Sequence, residues 1–243
     1  MKVLDLFSGF GGFSLGLERA GMETVAFCEV KKYPRMVLAK NWPGIPIHED
    51  IRELDGKQYK GAIDVVCGGF PCQDLSAAGA KRGITAARSG LYGEMLRVIS
   101  ECGPRFAIFE NVTNLLYGDR GRWFARFLSD LANIGFDAEW QCIPASAVGA
   151  NHKRERVWIV AYPKGNAIAG SIFQGFTRLE LFGSELGRIS CGNVSGTNWG
   201  EDQPGFVEVD DGLPNWVGSV SGYGNAVVPQ IPELIGRAIL CRS

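Results

Sequence analysis

Short apolar runs alternate with segments of helical periodicity along the first two thirds of the chain. The runs are predicted to be strands, and the periodic segments between them amphipathic helices. The pattern places strands at residues 3–7, 24–28, 45–47, 63–67, 106–109 and 156–162, and helices at 12–20, 32–40, 91–101 and 122–133. Strands that alternate with helices at this spacing form βαβ units with crossover connections. We therefore predict an α/β fold built on a largely parallel sheet.

The pattern changes after Pro163, where periodicity becomes weak. Residues 164–224 hold 13 of the 33 glycines, and three basic residues against seven acidic ones. Glycine-rich sequence without periodicity is typical of loops, so this stretch is predicted to be a small, loop-rich, net acidic lobe. A helical pattern returns at 229–240, where Pro229 and Pro232 fit only within the first turn.

Composition narrows the class of protein. With 243 residues, 46% of them hydrophobic, the chain suits one substantial globular domain with a small second lobe and is too apolar for a disordered chain. No run reaches the ~18 apolar residues of a membrane span, and the first strand follows Met1 without a signal peptide, which predicts a cytoplasmic, non-membrane protein. Seven scattered cysteines without a CxxC pair, and only two histidines, indicate a reducing compartment and predict no metal site.

A glycine-rich turn is predicted where the first strand meets the first helix, at residues 5–13. Glycines let the backbone turn tightly and approach a ligand, and the helix N-terminus favours negative charge. A dinucleotide fingerprint would need glycine where this chain has Ser14, which disfavours a nicotinamide cofactor. Glu29, about 20 residues further on, could accept hydrogen bonds from ribose hydroxyls, and Asp50 could accept from an adenine amino group. A structural turn with solvated carboxylates at strand ends remains the alternative.

Further reactive side chains are predicted at the same edge of the sheet. The carboxyl ends of parallel strands form a ligand crevice, so Cys72 and Glu110 would both project into it. A thiolate at Cys72 would be a nucleophile, and a carboxyl at Glu110 beside apolar walls could donate a proton to a ring nitrogen. Arg154 and Arg156 would share one face of the next strand and could hold a carbonyl oxygen or a phosphate. The alternatives are that Cys72 is an unreactive loop cysteine, that Glu110 is a solvated acid, and that the two arginines form a charged strand edge. The sequence pattern would be the same in each case.

Five segments in serial order resemble the DNA (cytosine-5)-methyltransferase family. They are Phe7-Ser8-Gly9-Phe10-Gly11-Gly12, Pro71-Cys72-Gln73, Glu110-Asn111-Val112, Arg154-Glu155-Arg156 and Gly224-Asn225-Ala226-Val227. The resemblance spans residues 3–162 and about 212–239. It implies a Rossmann-like S-adenosylmethionine-dependent methyltransferase sheet, mixed but mostly parallel, with a small loop-rich lobe. We expect a catalytic and cofactor-binding domain at 1–163, a target-recognition lobe at 164–212, and a C-terminal segment at 213–243 that returns to the catalytic domain.

The resemblance also implies the reaction, which is methylation of C5 in a cytosine flipped out of DNA. Cys72 would attack C6, Glu110 would protonate or hydrogen-bond N3, and Arg154, with Arg156 beside it, would hold O2 and help to keep Cys72 as a thiolate. The methyl group would come from S-adenosyl-L-methionine and leave S-adenosyl-L-homocysteine. The implied partner is double-stranded DNA, and a cognate restriction endonuclease and a monomeric state are further expectations.

The binding residues that the resemblance implies fall into two sets. The cofactor contacts are Phe7, Gly9, Gly11, Glu29, Val30, Asp50, Ile51, Pro71, Leu91, Asn225 and Val227. The DNA contacts lie in the segment that corresponds to a mobile loop and are Ser76, Lys81, Arg82 and Arg88. A solvated polar loop would also account for this second set.

The chain departs from the family pattern in a few places. His152 stands where the family usually has glutamine, and Ala226 where serine is common. The acidic lobe and a pI near 6.2 match a polyanionic partner poorly, because phosphate neutralisation supplies much of protein–DNA affinity. Two alternatives therefore stay open: a non-catalytic or partner-dependent DNA-binding regulator, and the same chemistry on RNA.

Overall fold

The residues that the structure describes are organised around one seven-stranded sheet. The computed structural model describes residues 1–71, 90–150, 152–165, 170–174, 176 and 226–242. The strands are β1 (Lys2–Leu6), β2 (Glu23–Cys28), β3 (Ile47–His48), β4 (Val65–Gly68), β5 (Phe106–Val112), β6 (Phe136–Pro144) and β7 (Glu155–Pro163), in the order β3-β2-β1-β4-β5-β7-β6. β1 to β5 pair in parallel, whereas β7 is antiparallel to both β5 and β6. The predicted mixed, mostly parallel α/β sheet is confirmed.

Helices cover both faces of this sheet. They are α1 (Gly12–Arg19), α2 (Lys32–Asn41), α3 (Leu91–Cys102), α4 (Asn114–Tyr117), α5 (Arg122–Asn133) and α6 (Gln230–Arg242), with 3₁₀ turns at Gly56–Tyr59, Gly118–Gly121 and Ala145–Val148. Successive residues of β1 pack into two different hydrophobic cores, one on each face of the sheet. Leu4 packs with residues of α3 and α5, and Val3 packs with residues of α1 and α6. Because both faces are buried, the parallel strands are continuous apolar runs.

The C-terminal helix α6 lies directly against α1, and glycines make this approach possible. A Cβ added at Gly16 would lie 2.2 Å from the carbonyl oxygen of Pro229 and 2.9 Å from the amide nitrogen of Glu233. On α6, a Cβ at Gly236 would lie 2.8 Å from Cβ of Ala20. Pro232 sits in the first turn of α6, as predicted.

Two features differ from the sequence prediction. β6 was not predicted, although residues 136–142 alternate between apolar and polar side chains, which is the signal of an edge strand. β5 extends to Val112 rather than ending at Glu110, because β7 pairs with it over Glu110, Asn111 and Val112. The extension fixes the backbone of Glu110 within the sheet.

Candidate active site

The turn between β1 and α1 is a tight, left-handed structure at the carboxyl edge of the sheet. Phe7, Gly9 and Gly11 have φ of 54°, 54° and 82°. The Gly9 amide donates to Oε2 of Glu29 at 2.8 Å, and the Lys31 amide donates to Oε1 of the same carboxylate at 2.8 Å. Glu29, buried at the end of β2, therefore holds the turn in place. Each of its oxygens retains acceptor capacity for a ligand hydroxyl.

The two glycines of this turn have different surroundings. A Cβ added at Gly9 would meet no heavy atom within 4 Å, so open space lies above the backbone there. A Cβ at Gly11 would lie 2.6 Å from the Trp42 ring, which therefore backs the turn. Val30, directly after Glu29, is 64% exposed, an apolar surface beside the open space. The donor, acceptor and apolar groups fit a nucleoside ligand such as S-adenosylmethionine.

A buried acid lies beneath the turn. The carboxyl of Asp5 is fully buried in β1 and accepts a hydrogen bond from Oγ of Ser14 at 2.8 Å. Burial raises the pKa of Asp5 to about 7, despite the opposing hydrogen bond from Ser14. Ser14 thus has a structural use at the position where a dinucleotide-binding turn has glycine. Sequence reasoning assigned Asp5 no role.

Asp50 and Ile51 follow β3, next to β2 in the sheet. The guanidinium of Arg52 engages the Asp50 carboxylate and holds the pKa of Asp50 at about 2. Ile51 is buried, and its carbonyl accepts a hydrogen bond from Nη2 of Arg97 at 2.8 Å. Arg97 also donates to the carbonyl of Leu54 at 3.0 Å, so α3 fixes this loop.

The remaining described cofactor candidates approach the same region from other elements. The carbonyl oxygen of Val227 would lie 2.6 Å from a Cβ at Gly12, so the segment before α6 touches the first residue of α1. Leu91 begins α3 and is partly buried against the core that contains Phe70. Pro71, which is partly exposed, follows Phe70 after β4. Thus the structure brings Val227 to the glycine turn.

Glu110 and the two arginines form one charged group. Nε of Arg156 lies 3.0 Å from Oε1 of Glu110, since β7 runs antiparallel beside β5. Burial raises the pKa of Glu110, although the positive charges of Arg156 and Arg154 act in the opposite direction. Burial lowers the pKa of Arg154, and Arg156 lowers it further. A partly buried carboxyl that is paired with a guanidinium group can donate or accept a proton while its position stays fixed.

Asn111 is a positioning residue that sequence reasoning did not assign. Its buried side chain donates a hydrogen bond from Nδ2 to the carbonyl of Phe70 at 2.9 Å. The Phe70 ring stacks on Phe127 with centroids 5.7 Å apart. A Cβ at Gly69 would lie 3.1 Å from Oε2 of Glu110, so the backbone after β4 passes close to the acid. The loop that leads to Cys72 is therefore fixed against β5.

Several predicted site residues lie outside the described residues. They are Cys72, Ser76, Lys81, Arg82, Arg88 and Asn225. In the part of the chain that the structure describes, no group of three His, Cys, Asp or Glu side chains could hold a metal ion. Nor does any described helix have the length and apolar character needed to cross a membrane.

Comparison with known proteins assigns the class of protein that this fold and site define. The family model described as C-5 cytosine-specific DNA methylase matches residues 1–182, and the chain belongs to that family. Type II methyltransferase M2.BsuMI of Bacillus subtilis is 39% identical over 165 residues, covering 66% of this chain and 42% of that protein. Type II methyltransferase M1.ScrFI of Lactococcus lactis is 34% identical over 180 residues, covering 74% of this chain and 46% of that protein. The matched segments thus span less than half the length of these relatives.

A solved structure confirms the fold class. The crystal structure described as a DNA modification methyltransferase encoded within an Escherichia coli prophage superimposes with a TM-score of 0.59 at 26% sequence identity. The superposition covers 73% of this chain and 50% of that one. The predicted Rossmann-like methyltransferase sheet and the predicted family are therefore both confirmed.

Proposed function

We propose that this protein is a DNA cytosine C5 methyltransferase that transfers a methyl group from S-adenosyl-L-methionine to a cytosine flipped out of duplex DNA. The observation that supports this most directly is the partly buried ion pair of Glu110 and Arg156, 3.0 Å apart, beside the backbone that leads to Cys72. The pair lies at the same edge of the sheet as the glycine turn. An acid for the pyrimidine ring and a pocket for the methyl donor would then share one cleft.

The glycine turn is the proposed binding site for S-adenosyl-L-methionine. Glu29 would accept the ribose hydroxyls, Val30 would cover the adenine ring, and Gly9 would allow the ligand to approach the backbone. Asp50 and Ile51 would contact the adenine, and Phe7, Gly11, Pro71, Leu91, Asn225 and Val227 complete the proposed set. S-adenosyl-L-methionine, when bound, supplies the methyl group that C5 of the cytosine receives, and S-adenosyl-L-homocysteine is the product.

Three side chains would act on the flipped cytosine. The Cys72 thiolate attacks C6, and Glu110 gives its proton or a hydrogen bond to N3, which stabilises the negative charge that develops on the ring. Arg154 holds O2, and Arg156 keeps Glu110 in position through the ion pair. After C5 is methylated, it loses its proton, the C6–sulfur bond breaks, and Cys72 leaves as a thiolate.

The proposed domain organisation and setting follow from this function. Residues 1–163 would form the catalytic domain, 164–212 the target-recognition lobe and 213–243 the returning segment, part of which is seen as α6 against α1. Ser76, Lys81, Arg82 and Arg88 would contact DNA phosphates. We place this protein in the cytoplasm as a monomer that acts with a cognate restriction endonuclease.

A methylation assay with matched cysteine variants tests this proposal. The chain is incubated with methyl-labelled S-adenosyl-L-methionine and a mixture of duplex DNA sequences, and label is expected in cytosine. Cys72→Ser should abolish turnover and the covalent adduct with 5-fluorocytosine DNA, while cofactor binding persists. Glu110→Gln should lower turnover by about 10²–10⁴-fold because the proton donor is lost.

Cys142→Ser serves as the control, because Cys142 is a free, partly buried cysteine on the edge strand β6. It should leave turnover unchanged. Full activity in Cys72→Ser would refute the proposed nucleophile. Absence of labelled cytosine on every duplex, with cofactor binding intact, would refute the proposed function.

A further inference from the structure

The short connection between β5 and α5 contains an unusual backbone conformation. After α4 ends at Tyr117, the 3₁₀ turn Gly118–Gly121 has φ of 49° at Asp119, 57° at Arg120 and 83° at Gly121. These are three consecutive left-handed residues, and two of them carry a Cβ. Residues other than glycine adopt this conformation at an energetic cost, and they do so in runs only where the surrounding structure imposes it.

Two neighbouring interactions hold this turn in the strained conformation. The Trp123 ring packs on Gly118 so closely that a Cβ there would lie 1.8 Å from ring atom Cε3. The Arg122 guanidinium forms an ion pair with the Asp119 carboxylate, and its Nε donates to the Asp119 carbonyl at 3.2 Å. Arg122 is thus the ion-pair partner of Asp119, whereas Arg120 acts on Asp119 only through the weaker attraction between their charges and is itself exposed.

The turn presents a cation and an aromatic side chain to solvent. Arg120 is exposed, and its guanidinium makes no hydrogen bond or ion pair within the described residues. Tyr117, just before the turn, is 72% exposed. Both residues follow the carboxyl end of β5, whose last residue Val112 pairs with Arg156. The exposed groups thus lie on the edge of the sheet that holds Glu110.

The charge distribution along the chain indicates what such a group could bind. Residues 164–224, which include the proposed recognition lobe, have only three basic residues against seven acidic ones. Binding to duplex DNA depends on cations that neutralise phosphates, so these must come largely from the catalytic domain. Arg120 and the exposed Lys153, which precedes β7, supply positive charge at the edge where the reaction would occur.

We propose that Arg120 contacts a backbone phosphate of duplex DNA beside the flipped cytosine, and that the left-handed turn exists to aim it there. This inference rests on the proposed function and adds a contact outside the segments that the family resemblance assigns to DNA. Arginine and tyrosine are among the side chains that position proteins on DNA through phosphates. The strain of the turn is kept because binding requires the outward direction of Arg120.

The conformation of Arg120 provides a test that separates charge from folding. Asparagine and glycine tolerate a left-handed φ better than arginine does, so Arg120→Asn removes the charge while it relieves backbone strain. Arg120→Lys keeps the charge. Arg105→Asn is the matched control, because Arg105 is an exposed arginine at the opposite end of β5. Affinity is measured for a fluorescein-labelled duplex of mixed sequence, with S-adenosyl-L-homocysteine present, over a series of salt concentrations.

Arg120→Asn should weaken duplex affinity by about eightfold near 0.1 M salt and reduce the slope of log affinity against log salt by about 0.9, the effect of one lost phosphate contact. Its melting temperature should equal or exceed that of the wild type, and S-adenosyl-L-homocysteine binding should not change. Arg120→Lys and Arg105→Asn should bind the duplex as the wild type does.

Wild-type affinity and slope in Arg120→Asn would overturn this inference while the proposed function stands. An equal loss in Arg105→Asn would do the same, because it would indicate a general charge effect. Failure of the wild-type chain to bind any duplex or to methylate it would overturn the proposed function, and this inference with it.

Discussion

The buried carboxyl of Asp5 makes the stability of this protein fall as the pH rises. Its pKa is raised from 3.8 to about 7 by burial, so the folded state holds a proton that the unfolded state has released. Over the interval from about pH 4 to pH 7, the unfolded state therefore binds fewer protons, and the free energy of unfolding decreases with increasing pH. The loss of stability reaches its full size above the folded-state pKa of Asp5.

The size of the effect follows from the shift in pKa. A change of about three units at roughly 1.4 kcal/mol per unit gives about 4 kcal/mol as an upper value. Asp5→Asn removes the titration and keeps the shape, and its amide oxygen can still accept the hydrogen bond from Ser14. At about pH 8, Asp5→Asn should therefore be more stable than the wild type by up to about 4 kcal/mol, and near pH 4 the two should be similar.

Urea unfolding, followed by tryptophan fluorescence at a series of pH values, measures this difference. Groups that titrate in both proteins cancel when the variant is compared with the wild type. Asp137→Asn, which removes an exposed carboxyl on β6, is the control and should show no such divergence. Parallel stability curves for Asp5→Asn and the wild type would refute the buried, protonated state of Asp5.

Two further substitutions test the packing around the proposed cofactor site. Gly16→Ala should lower the free energy of unfolding by about 2 kcal/mol, because the new Cβ would meet the backbone of Pro229 at 2.2 Å; a more stable variant would mean that helix propensity outweighs this contact. Arg97→Leu should lower stability by about 2 kcal/mol and weaken S-adenosyl-L-methionine binding, because the carbonyls of Ile51 and Leu54 lose their donor. Calorimetric titration that shows wild-type cofactor affinity in Arg97→Leu would contradict its role in holding this loop.

The strands and helices around the glycine turn could be predicted because their residues follow simple periodicities. The parallel strands are buried on both faces, so they appear as continuous apolar runs, and α5 was predicted with the bounds that the structure shows, Arg122–Asn133. The strand β6 was missed although its alternation is the signal of an edge strand, because its apolar side chains are separated by polar ones and form no continuous apolar run. The reactive side chains proposed here come from the family resemblance, since periodicity alone assigns no chemistry to a residue.

Contacts between distant segments account for what the sequence could not predict. In the sequence, Asn111 is only one residue of a motif. The structure shows its hydrogen bond to the carbonyl of Phe70, which lies 41 positions earlier. Trp123 covers Gly118 just before the left-handed residues Asp119 and Arg120, and no local pattern predicts a left-handed arginine. The roles of Asp5 and Ser14 likewise appear only when a buried strand and a helix meet.

The contact between α1 and α6 has a consequence for how the polypeptide matures. Nη2 of Arg237 donates to the carbonyl of Arg19 across 218 positions of sequence, so the two helices can meet only after the long segment between them has been synthesised. Until then, the part of α1 that α6 covers is exposed, and such transiently exposed surface invites aggregation and chaperone binding. Closure over so long a separation is also kinetically slow. The packing between α1 and α6, next to the glycine turn, would therefore form only after α6 has been synthesised.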